Sequence, residues 1–209
     1  MFKLRALILS SVVIMSIATA FMLTVPSASA NMSSDKRFQY AIKVVLAHEG
    51  GLSHDKNDKG SWTKFGISLR FIRNEHLCID GNCADDAEEI IHLTLTEADN
   101  IYYSDFWKKY NYDKILDETI ATKAFDMAVN AGPSRSNLLL KKALNRIIKE
   151  KIPLTSELNE QTIDIINNID SALLHEAMKL AEAEFYKSIT KRNPSLAVFE
   201  KGWLARAAW

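Results

Sequence analysis

Glu49 stands in an unusual place for a carboxylate. Phe38, Ala41, Ile42, Val45 and Glu49 recur at spacings of three and four, so they share one face of a predicted helix over residues 35–49. Lys36, Gln39 and Lys43 fall on another face. An ionised Glu is costly to bury, and the last turn of a helix carries partial negative charge on its unpaired carbonyls. Both effects favour the protonated carboxyl, which a general acid needs near neutral pH. On spacing alone, a helix-end Glu turned to solvent or paired with a lysine stands beside that reading. Gly50 and Gly51 end the helix and let a substrate approach the backbone closely.

Cleavage of a glycosidic bond calls for a second group that activates water or stabilises the oxocarbenium-like centre. Asp55 and Asp58 lie in the polar segment straight after Glu49, and Thr63 follows. This order brings two carboxylates and a hydroxyl within reach of one cleft, although Asp in such a segment also suits plain turn chemistry. Trp62 is a candidate for substrate contact. Asp126 and Asn130, four apart on one helix face, are candidates for supporting the cleft and could bond each other. Tyr102, Tyr103, Trp107 and Tyr110 could stack on sugars, but at this spacing they read more readily as core. His48-Glu49 has Leu at position 52 where a metalloprotease helix needs its second His. No metal or organic cofactor is implied.

The elements that must hold these residues are mostly helices. Ser34 or Asp35 can cap the first. Residues 52–61 are polar and turn-rich, and Trp62 to Ser68 suits a short strand or hairpin arm. A helix is expected near Thr96, with Thr96 and Asp99 spaced like a capping box. Residues 119–131 read as a buried helix with Ala121, Ala124, Phe125 and Ala128 on its apolar face, stopped by Gly132-Pro133. Further helices are expected over 135–150, ended by Pro153, over about 160–168, and over about 170–191. The tail carries Phe199, Trp203 and Trp209. The class is mainly α, with a small hairpin or irregular segment near residues 52–70.

Lys3 and Arg5 precede an uncharged stretch from Ala6 to Val25, and Ala28-Ser29-Ala30 is a small-x-small cleavage pattern. Residues 1–30 therefore read as a secretory signal cleaved after Ala30; a retained anchor is the rival reading. Cleavage leaves no stable membrane anchor and places the chain in the periplasm or outside the cell. It removes two cations and no acid, leaving 24 basic against 26 acidic residues. That balance argues against nucleic acid and anionic lipid as partners. Export permits a disulfide between Cys78 and Cys83 across a short turn-rich loop, with two free thiols as the alternative.

Several blocks then resemble one family. His48-Glu49-Gly50-Gly51, Asn57-Asp58-Lys59-Gly60 and Thr63-Lys64-Phe65-Gly66-Ile67-Ser68 are similar to the Glu-Gly-Gly, Asn-Asp-x-Gly-Gly and Thr-x-Tyr-Gly-Ile pattern of glycoside hydrolase family 108, the N-acetylmuramidases. Thr96-Glu97-Ala98 with Phe106-Trp107 resembles the family's next helix, and Phe125 to Gly132 its Phe-Asp-x-Ala-Val-Asn-x-Gly block. Phe185-Tyr186 through Arg206 resembles the C-terminal peptidoglycan-binding region that usually follows. Ser61, Leu52 and Phe65 depart from the pattern. The resemblance implies a lysozyme-like helical fold, with a catalytic domain over residues 31–120 and a helical peptidoglycan-binding region over 121–209 packed on it. It implies hydrolysis of the bond between N-acetylmuramic acid and N-acetylglucosamine in peptidoglycan glycan strands. Glu49 would be the acid, Asp58 and Thr63 would handle water, and Gly50, Gly51, Asp55, Trp62, Asp126 and Asn130 would border the substrate. A lytic transglycosylase on the same bond and a non-catalytic peptidoglycan-binding accessory protein are the alternatives.

Overall fold

The structure is a computed structural model that describes residues 35–48, 53–54, 62–75, 77 and 87–209. The fold is mainly α, as the periodicity predicts. Residues 1–30, Glu49, Gly50, Gly51, Asp55, Asp58, Cys78 and Cys83 lie outside the described residues.

Helix α1 (Lys36–His48) opens at Asp35, whose Oδ1 accepts the backbone N–H of Phe38 at 3.1 Å. The other oxygen of Asp35 accepts the Trp107 indole N–H at 2.9 Å, so one side chain both caps the helix and fixes what packs on it. Phe38, Ala41, Ile42 and Val45 are buried, as their spacing predicts. Strands β1 (Ser53–His54), β2 (Trp62–Lys64) and β3 (Ile67–Ser68) form a small antiparallel sheet in that order. Register pairs Ser53 with Thr63 and Thr63 with Ser68. Phe65 and Gly66 close the β2–β3 hairpin with φ of +53° and +81°. Two left-handed residues in a two-residue loop match the twist of the strands, and Phe65 is the strained one. The Tyr102 hydroxyl donates to the Phe65 carbonyl at 2.7 Å and holds that turn.

Short helices α2 (Leu69–Glu75) and α3 (Ala87–His92) follow, with Lys64 Nζ tying the sheet to the Ile91 carbonyl at 2.7 Å. Helix α4 (Leu95–Ile101) is capped two residues earlier than expected. Its capping box is Thr94 with Glu97, not Thr96 with Asp99. Glu at the third position reaches back to the cap N–H, which the shorter Asp does less well. The chain then widens into a π-helix, Tyr102–Lys108. Its wider turn lets Tyr102, Tyr103, Phe106 and Trp107 all face inward, and all four are buried.

Helix α5 (Glu118–Ala131) is the centre of the molecule, and residues 120–128 along it are all buried. Asp117 caps it, and Gly132, at φ +87°, turns the chain into Pro133. Pro133 is also the first residue of α6 (Pro133–Ile147), where its missing N–H costs nothing. Helix α6 ends at Ile147, so Ile148 is an extended cap and Pro153 lies beyond the stop. Helices α7 (Glu160–Asn168) and α8 (Ser171–Arg192) come next, each opened by a capping side chain, Asn159 and Asp170. The tail is a helix too, α9 (Ala197–Ala208). Helix α5 packs on α1, α6 and α8, while α9 packs on α8. No described helix is long and apolar enough to cross a membrane.

Candidate active site

Two openings flank the C-terminal end of α5. The larger, about 520 Å³, is bordered by Ala47 on α1, Asn130 on α5 and Gly202, Trp203, Ala205 and Arg206 on α9. The smaller, about 190 Å³, lies between the hairpin residues Gly66 and Ile67, the rings of Phe71 and Phe106, and Ala128-Val129. Ala47 is two residues before Glu49 in the sequence. Helix α1 and the hairpin thus each border an opening at the C-terminal end of α5, the helix that carries Asp126.

The larger opening owes its wall to a polar network inside the core. Asp126 is fully buried, and its carboxylate takes two bonds from Arg206, Nη2 at 2.8 Å and Nε at 2.9 Å. A two-pronged guanidinium contact fixes orientation as well as position. It therefore aims the rest of Arg206 along the pocket edge. Asn130 does not bond Asp126; its Oδ1 accepts the Tyr186 hydroxyl at 2.7 Å. Tyr186 in turn stacks on Trp203, with centroids 5.4 Å apart and 19° between planes. Burial, aided by the neighbouring Glu182 carboxylate, pushes the Tyr186 hydroxyl far above its usual range, so it acts only as a neutral donor.

Behind this lies a second ion pair. Lys123 Nζ donates to Glu182 at 2.8 Å and to the carbonyls of Arg206 and Ala207 at 3.0 and 3.1 Å. Three bonds use all three ammonium protons. Both side chains are essentially buried. Lys123 also sits 5.7 Å from the centre of the Trp209 ring. It thus satisfies carbonyls in the last turn of α9, the end of a helix where a cation is most favourable. Helix α9 is bolted to α5 by the Asp126–Arg206 ion pair and by the bonds from Lys123 to two of its carbonyls, and its Trp203 and Arg206 reach the opening as a result.

Of the expected site residues, Trp62 and Thr63 lie half-buried on β2, Asp126 is interior, and Asn130 borders the larger opening. Tyr102, Tyr103 and Trp107 belong to the core. Lys123, Glu182 and Arg206 were not singled out from the sequence as supports. Lys123 could have been: it lies three residues after Ile120 and four before Met127, a charge on an apolar stripe like Glu49. Among the described residues, no group of three or more His, Cys, Asp or Glu could hold a metal ion.

Comparison with known proteins gives a structural and a family likeness. No curated protein matches the chain. The structure of Brucella abortus SagA is similar, with a TM-score of 0.67 at 22% identity, over 84% of this chain and 91% of that one. At this identity the likeness establishes a shared fold. Residues 42–132, from the middle of α1 to the glycine that ends α5, match the family model of glycosyl hydrolase 108.

Proposed function

We propose that the chain is an exported peptidoglycan hydrolase that cleaves the bond between N-acetylmuramic acid and N-acetylglucosamine. The observation that carries this reading is the large opening at the end of α1, walled by Ala47, Asn130, Trp203 and Arg206. An aromatic ring, an amide and a guanidinium suit a sugar chain, whose rings present C–H faces and whose acetamido groups accept hydrogen bonds. The family match over residues 42–132 supports the same chemistry. In this reading residues 31–120 supply the acid and the hairpin, and residues 121–209 supply the opposite wall.

Glu49 protonates the glycosidic oxygen as the bond to the leaving sugar breaks. Asp58 and Thr63 position the water that adds to the oxocarbenium-like centre, and the Asp58 carboxylate takes the proton this water sheds. Gly50, Gly51, Asp55 and Trp62 border the sugar, and Asp126 and Asn130 hold the opposite wall in place. Export rests on residues 1–30 as a cleaved signal.

The test is Glu49→Gln in a wall-clearing assay on purified peptidoglycan. Loss of a general acid is expected to slow clearing by about 10²–10⁴-fold, with thermal unfolding unchanged. A normally folded variant that clears as fast as the parent refutes the mechanism. Mass spectrometry of the products from the parent protein should show reducing ends. Anhydro ends would reassign the reaction to a lytic transglycosylase.

A further inference from the structure

A second opening, about 320 Å³, lies between α6 and α8 and shares no lining residue with the candidate active site. Arg135 and Lys142 border it from α6, and Arg192 from α8. All three are exposed, and none forms an ion pair among the described residues. The one carboxylate on the rim, Glu184, is already bound by Arg146. The groove therefore holds three uncompensated cations. They are not randomly oriented. Arg135 lies over the Phe185 ring at 5.2 Å, and Arg192 Nε donates to the Ser188 carbonyl at 3.0 Å, so both guanidinium groups are held before any ligand arrives. Leu139, Ala181 and Phe185 form a floor between them.

We propose that this groove binds the carboxylate groups of a short wall peptide with small side chains. The cations answer the carboxylates, and the apolar floor answers methyl groups. A bare phosphate would use the first feature and leave the second idle. The choice of a wall peptide rests on the peptidoglycan reading above, because that polymer carries short peptides of alanine and diacids on its glycan strands. The groove would keep the enzyme on its polymer while the other opening works on the sugar.

The test uses the intact protein and a synthetic tetrapeptide, L-Ala-γ-D-Glu-diaminopimelate-D-Ala, in a calorimetric titration. The probe has no glycosidic bond, so its result stands whether or not Glu49→Gln abolishes clearing. Binding is expected to weaken about tenfold in the double variant Arg135→Gln, Arg192→Gln. The same peptide with its carboxylates amidated should bind the parent protein about tenfold more weakly as well, a measurement that needs no variant to fold. Arg135→Lys should keep most of the affinity. Inorganic phosphate at equal concentration should fail to displace the peptide. Parent protein that does not bind the peptide, an amidated peptide that binds equally well, a folded double variant with parental affinity, or phosphate that competes as well as the peptide would each overturn the proposal.

Discussion

Replacing Lys123 with Met tests how α9 is held. Lys123 and Glu182 form an ion pair at 2.8 Å in which both side chains are nearly inaccessible. Removing one member of such a pair leaves the other charge buried, at about 3–5 kcal/mol. The Met also gives up two carbonyl bonds to Arg206 and Ala207. These sit at the end of α9, where water can replace part of the loss, so they add about 1 kcal/mol in total. The sum, about 4–6 kcal/mol, corresponds to a fall in Tm of roughly 8–24 °C for a chain of this size. Glu182→Gln should cost less, about 1.5–3 kcal/mol, because an oxygen remains to accept from Lys123. The double variant Lys123→Met, Glu182→Leu should recover most of the ion-pair cost and leave only the carbonyl loss. Urea unfolding of the parent, Lys123→Met, Glu182→Leu and the double variant at pH 7 closes the cycle and reads the coupling directly. A Lys123→Met protein within about 1 kcal/mol of the parent, or single losses that simply add, would refute this account of α9.

Three further outcomes follow from other side chains. Burial raises the Asp99 carboxyl above its usual range, and its Oδ1 has no partner among the described residues. The folded state therefore holds the proton more tightly than the unfolded chain, and stability is lost as pH rises through the folded value. Asp99→Asn should raise Tm at pH 7, with the gain fading as the pH approaches 4. Burial, with the charges of Lys179 and Lys123 adding to it, lowers His175 below its usual range. The unfolded chain takes up that proton first, so stability should fall as pH drops below about 6.5, and His175→Gln should flatten the fall seen by urea unfolding. Trp203→Ala removes the ring stacked on Tyr186 and part of the pocket wall. It should cost about 1–2 kcal/mol and slow wall clearing, while Trp203→Phe should keep most of both, as melts and clearing rates will show.

The helices were legible where one physical signal dominated. Ala121, Ala124, Phe125 and Ala128 announced α5, and a Gly-Pro pair marked its end. Near residue 95 two Thr residues two apart each had an acid three residues on, and only packing and reach chose between them. The π-helix was hidden because its four inward aromatics sit in adjacent pairs, a pattern that fits no α-helical stripe. Helix α9 was read only as an aromatic tail, since Val198 and Phe199 on it face solvent and blur its periodicity. The partner of Asp126 was not legible in the sequence for a simpler reason. Neighbours four apart on a helix are visible in a sequence, but Arg206 is 80 residues away. The family match covers the Glu49 to Ser68 and Phe125 to Gly132 blocks and leaves the Phe185 to Arg206 block outside it.

That long separation sets an order on how the molecule comes into being. A nascent chain carries Glu49 and α5 well before residues 197–208 have been made. Until those residues follow and reach Asp126 and Lys123, the larger opening lacks the side that holds Trp203 and Arg206. A half-synthesised chain thus has the proposed acid but no complete groove to use it in, and competence for the proposed reaction arrives with α9.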